Sequence, residues 1–128
     1  MIGNFRRFEV QNPWGKTWVV TFQWLQTAIS IRHSDTVDVK FALSAGETRM
    51  ERVIALSHPG LLALSKKTNR PLTDSWCMKL AALHLKRMIE TDEDIEKPLV
   101  TVRDEELEEY GRQVAKWSGD QVAKGSGT

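Results

Sequence analysis

Residues 8–24, FEVQNPWGKTWVVTFQW, decide how the chain must fold. Phe8, Val10, Trp18, Val20, Phe22 and Trp24 are all even-numbered and alternate with polar residues, the period of strands with one buried face. Only Val19 interrupts the alternation. Bringing both runs onto one face requires a hairpin loop of odd length. A three-residue loop, Pro13-Trp14-Gly15, closed by Asn12 and Lys16, meets that condition. Asn, Pro and Gly stand where a type I turn prefers them, and Gly15 supplies the left-handed residue of the following bulge. Those three residues each have a backbone reason to be there, whereas Trp14 has none. Its ring is expected to pack back against the end of the sheet. A largely exposed ring would instead make this turn the first place to look for a partner.

Downstream the buried parity changes, because Ile29, Ile31, Val37, Val39, Phe41 and Leu43 are odd-numbered. A switch is required between Trp24 and Ile29, either a hairpin at Gln26-Thr27 or a bulge within Leu25 to Ala28. Residues 28–43 exceed an ordinary strand, so a break is expected near RHSD, with His33-Ser34-Asp35 as the loop that sets Ile31 opposite Val37. The connection SAGE, residues 44–47, then sets Phe41 opposite Met50, Val37 opposite Ile54 and Lys40 opposite Glu51. Arg52 falls opposite Val39 on the apolar side, so it is expected near an edge or beside a carboxylate.

The second half reads as helices. Ser57 or His58 caps a helix to about Thr68, with Pro59 in its first turn and Asn69 and Pro71 as its stop. Lys66, Lys67 and Arg70 cluster at the end where the helix dipole favours cations, a structural reading preferred to a phosphate site. Residues 74–90, capped by Thr73 or Asp74, confine Ser75, Lys79, Lys86 and Glu90 to one narrow arc and are otherwise mostly apolar. So narrow a polar strip predicts a central helix. Residues 99–102, LVTV, form an edge strand or an extended link. A last helix aligns Leu107, Tyr110, Val114 and Trp117 in one stripe.

Composition removes several function classes. Lys plus Arg number 18 against 17 Asp plus Glu, so no global field draws the chain to nucleic acid or an anionic membrane. Nowhere do eighteen consecutive apolar residues occur, and the N-terminus lacks the apolar core of a secretion signal. A cytoplasmic location is the default expectation. Cys77 is the only cysteine, which excludes an internal disulfide and any multi-cysteine zinc site. Phosphate-cradling, dinucleotide and nucleophile-elbow motifs are all missing, so no cofactor is implied.

Each remaining chemical candidate has a bland counterpart. Cys77 and His84 project at nearly the same angle from one helix, but seven residues at about 1.5 Å each separate them by roughly 10.5 Å. A nucleophile and its base must touch, so Cys77 reads as a small buried hydrophobe. His84 reads as a core histidine bonded to a carbonyl or carboxylate, or as the wall of a pocket shared with Cys77 and Trp76. His33 and Asp35 supply too few ligands for a metal site. The carboxylate runs Asp92 to Asp94 and Asp104 to Glu109 read as a solvated connector and a helix cap. The outward sheet face mixes charges without a row of aromatics, leaving Arg6, Arg7 and Lys16 with Trp14 as a small local candidate for nucleic acid.

The expected architecture is α+β. An antiparallel meander of four to five strands over residues 5–56 precedes about three helices, with the 74–90 helix packed on the sheet. Residues 1–117 form a single domain and 118–128 a flexible tail. The expected function is a non-catalytic interaction or regulatory module, binding a protein partner or itself. Trp14, Arg7, Lys16, Tyr110 and Trp117 are its candidate contacts. A small enzyme or ligand-binding protein around His84, Cys77 and Trp76 is the alternative, and weak nucleic-acid binding is a third.

Overall fold

The computed structural model describes residues 4–28 and 36–125; the side chains of residues 28 and 117–125 lie outside that description. The elements in chain order are β1 (Arg7–Gln11), β2 (Thr17–Ala28), β3 (Thr36–Ala45), β4 (Thr48–Ser57), α1 (His58–Thr68), α2 (Asp74–Thr91), β5 (Leu99–Val102) and α3 (Asp104–Gly125). The five strands lie in the order β1-β2-β3-β4-β5. All neighbours are antiparallel except β5, which runs parallel to β4 after α1 and α2 have crossed between them. The fold is α+β, a mostly antiparallel sheet with three helices packed on it.

The first hairpin follows the parity arithmetic. Phe8 faces Val20 and Val10 faces Trp18. The loop is closed by the Asn12 N–H donating to Lys16 O at 2.9 Å and the Gly15 N–H donating to Asn12 O at 3.1 Å. Gly15 has φ +85°, the left-handed conformation the bulge requires.

The parity switch occurs earlier than expected. Phe22 faces Phe41, but Trp24 faces Lys40, so Gln23 is the extra residue of a bulge. One inserted residue rotates everything after it to the opposite face. Trp24, expected inside, is therefore 36% exposed beneath the Lys40 ammonium, and Leu25 packs against the core in its place. Leu25 to Ala28 continue β2 instead of forming a junction, and Ala28 pairs with Thr36. The expected strand through Ile29 and Ile31 and the loop His33-Ser34-Asp35 lie outside the described residues, as does the metal reading placed there.

The β3–β4 register also differs, by two residues. Ala45 faces Thr48 across a two-residue turn in which Gly46 takes φ +60° at the first central position, the preference of a type II′ turn. Met50 therefore faces Leu43, Leu56 faces Val37 and Arg52 faces Phe41. A slip of two keeps every side chain on its expected face. Lys40 and Glu51 become diagonal neighbours and still approach to 3.2 Å. Arg52 donates to the carbonyls of Ile95 and Glu51, each at 2.6 Å, instead of finding a carboxylate at bonding distance.

The helices begin and stop for local reasons. Ser57 Oγ accepts the Gly60 N–H at 3.2 Å and Asn69 closes α1 with φ +54°. Thr73 Oγ1 accepts the Trp76 N–H at 3.1 Å, and Asp92 ends α2 with φ +57°. Lys67 pairs with Glu108 at 2.9 Å and Arg70 reaches Ala115 O at 3.3 Å, so part of the α1 basic cluster is spent on α3. Along α2, Leu80, Ala81, Ala82 and Leu85 are wholly buried, and the helix packs against β1, β3, β4 and α3. Truncating such a leucine to alanine removes transfer energy and leaves a cavity, typically about 2–5 kcal/mol.

Candidate functional site

Two features stand out from this scaffold: the tip of the first hairpin and a cleft beside His84. At the tip, Asn12 Oδ1 accepts the N–H of Trp14 at 3.0 Å and of Lys16 at 2.9 Å, while Gln11 Nε2 donates to Gly15 O at 3.2 Å. Every one of these bonds fixes backbone. The indole itself is 73% exposed, which overturns the expectation that it packs on the sheet. A three-residue loop projects its second side chain away from both strands, leaving nothing for the ring to fold onto. Arg7 is exposed on β1, Lys16 Nζ sits 4.7 Å from the Trp18 ring centroid, and the Arg6 guanidinium sits 5.5 Å from that of Phe22. The cations proposed for nucleic acid are thus partly engaged with the protein's own rings.

The Tyr110 and Trp117 stripe divides. Leu107, Tyr110 and Val114 are buried where α3 packs on α1 and α2, so Tyr110 is a core residue and not a surface contact. The Trp117 side chain lies outside the described residues.

The expected pocket around His84, Cys77 and Trp76 also divides. Only His84 lines the larger cleft, a hollow of about 380 Å³ between α2, β5 and the start of α3. Trp76 lines a separate hollow of about 130 Å³ with Arg70, Lys79 and Val114. Cys77 belongs to neither, because two helical turns carry it away from His84. Burial and the nearby Asp74 charge push its thiol up to about 11, so it stays protonated and unreactive.

His84 is 5% exposed, and its Nδ1 lies 2.8 Å from the Tyr110 hydroxyl and 3.8 Å from Glu106 Oε2. The two rings meet edge to face with centroids 5.7 Å apart. Among the described residues Nε2 is buried without a partner. That holds for either tautomer: a proton on Nε2 has no acceptor, and a lone pair there has no donor. Burial lowers the imidazole pKa, with Glu106 opposing, so the ring is neutral at pH 7. Burial raises the Tyr110 phenol in the same way, while Arg87 beside its hydroxyl opposes the shift.

Glu106 lies in the run read as a helix cap, but its burial beside His84 was not expected. Its side chain is only 13% exposed. Arg103 O accepts the Leu107 N–H at 2.9 Å, which makes Arg103 the N-cap of α3. Glu106, three residues on, accepts the Arg103 N–H at 3.1 Å, the returning half of a capping box. Arg103 Nε and Arg87 Nη1 each add a contact at 3.2 Å. Burial pushes the Glu106 carboxyl up, but the Arg103 bonds and the neighbouring His84 more than reverse this and hold it below the ordinary carboxylate range. The spacing of a glutamate three positions after a helix start was the available signal.

The cleft therefore presents two guanidiniums, the committed carboxylate of Glu106, the carboxylates of Glu93 and Asp94, and a floor of the largely buried Met88 and Val100. Among the described residues no group of three potential ligands is placed to hold a metal, and no helix is long and apolar enough to cross a membrane. No family model matches this chain, and neither curated proteins nor solved structures give a match.

Proposed function

We propose that this protein is a non-catalytic interaction module that engages a protein partner through the tip of the β1–β2 hairpin. The observation that carries this reading is the exposure of Trp14 on a turn whose backbone is already fixed. A preorganised turn loses little entropy on docking, and tryptophan is among the residue types enriched in contacts that dominate binding energy. Arg6, Arg7 and Lys16 outnumber Glu9 around it. The fitting partner surface is an apolar socket with an acidic rim. The non-catalytic part of the reading is supported by His84, whose nitrogens are spent on Tyr110 or shielded from solvent.

A photo-crosslinking side chain at position 14 tests this, with the captured peptide identified by mass spectrometry. Capture of an apolar, acid-rimmed site, lost on competition by unlabelled protein but not by the Trp14→Ala variant, is the expected result. A monomer by analytical ultracentrifugation, with all partners retained by Trp14→Ala, would remove the reading.

A second reading, small-ligand binding by the His84 cleft, is favoured by one observation: an open cleft lined by Arg87, Arg103 and Glu106 lies beside the buried imidazole. Ligand pockets typically span about 300–1,000 Å³, which places this one at the small end.

A further inference from the structure

The charges of the His84 cleft are not balanced by its internal contacts. Glu106 contacts one side-chain nitrogen of Arg103 and one of Arg87, yet each guanidinium has five N–H donors. One carboxylate thus serves two cations, whose side chains remain 72% and 49% exposed. On the same cleft, Glu93 is exposed and makes no close hydrogen bond or ion pair among the described residues, although its charge acts on Arg87. Asp94, by contrast, is paired with Lys97 at 3.0 Å. What remains is spare donor capacity on two guanidiniums, one of which also reaches the Tyr110 hydroxyl, and a carboxylate that acts on Arg87 only through space, above a floor of the largely buried Met88 and Val100.

We propose that this cleft binds a small zwitterion of free amino-acid size, its carboxylate on Arg87 and Arg103, its ammonium on Glu93 and its side chain over Met88 and Val100. The inference rests on the second reading above, that the cleft takes a small ligand. Guanidinium forks match carboxylate geometry, which favours that group at the arginine end. A simple anion would bring a second negative charge onto a cleft that Glu93 also lines, and a divalent cation would meet two guanidiniums with no grouped set of carboxylates among the described residues to ligate it. A hollow of about 380 Å³ suits a molecule of this size.

The test is a titration of the isotope-labelled full chain followed on the backbone amides of Met88, Val100 and Thr101. Glycine, alanine, valine and leucine are the probes; acetate, methylammonium, inorganic phosphate and magnesium each supply only one kind of charge. At least one amino acid is expected to bind roughly tenfold or more tightly than acetate or methylammonium. Glu93→Gln should reduce it to the level of acetate, and Arg103→Gln should weaken it by about tenfold or more. Both substituted side chains are exposed, and circular dichroism checks that folding is intact. If acetate or phosphate matches the amino acids and Glu93→Gln changes nothing, the zwitterion assignment is overturned while the cleft stands as a ligand site. If no probe moves those amides, both are overturned.

Discussion

The Tyr110 hydroxyl on α3 lies 2.8 Å from Nδ1 of His84 on α2, a buried polar contact where the two helices pack at the base of the cleft. A buried polar group costs more when its partner is removed than the bond itself contributes when formed. Tyr110→Phe strips His84 of this bond while Nε2 already lacks one, so a loss of about 1–3 kcal/mol is expected in urea unfolding. Adding His84→Leu removes the orphaned imidazole. The double variant should therefore lose less than the sum of the two single variants, and strict additivity would contradict the pairing.

Stability should fall with acid in two stages. The folded-state pKa of His84 is lowered by burial from its ordinary value of 6.5, so the unfolded chain takes up this proton first. Its contribution is complete above pH 6.5 and is lost as pH falls through the interval below. Glu106, held below its ordinary 4.5, adds a second loss beneath that value. Urea midpoints measured against pH should show the first stage in the wild type and not in His84→Leu; an unchanged profile in that variant would assign the acid sensitivity elsewhere.

Cys77 should resist alkylation in the native protein. At 3% exposure and with its thiol pushed up to about 11, almost no thiolate is available at pH 8. Iodoacetamide labelling should track global unfolding across a urea series. Rapid native labelling would mean that α2 opens locally.

The first turn of α2 depends on one hydroxyl. Thr73→Ala removes the acceptor for the Trp76 N–H and should cost about 1 kcal/mol, read as a lowered melting temperature. Thr73→Ser should restore most of it.

Trp14→Ala should leave stability within about 0.5 kcal/mol of the wild type, because the ring covers little of the fold. The same substitution should abolish partner capture. A large stability loss would instead place the indole against the protein.

The face each side chain occupies was legible wherever two residues per repeat run without interruption. Val10 against Trp18 follows from counting, and the two-residue slip between β3 and β4 left the faces intact because the strand period is two. The bulge at Gln23 was not legible in position. A parity change requires an extra residue somewhere, but any residue from 23 to 28 satisfies the arithmetic, and packing of Phe22 and Leu25 on the same core chose Gln23.

By itself the sequence determined the α+β class, the caps at Ser57, Asn69 and Thr73, the first hairpin and the central burial of α2, since these depend on local spacing and backbone chemistry. Tertiary structure alone decided the partner of His84 and the separation of Trp76 from its cleft. Tyr110 stands 26 residues from His84, and Glu106 faces it only because β5 returns the chain parallel to β4 and starts α3 beside α2. Contacts of that kind are set by how layers pack, and no periodicity within one element encodes them.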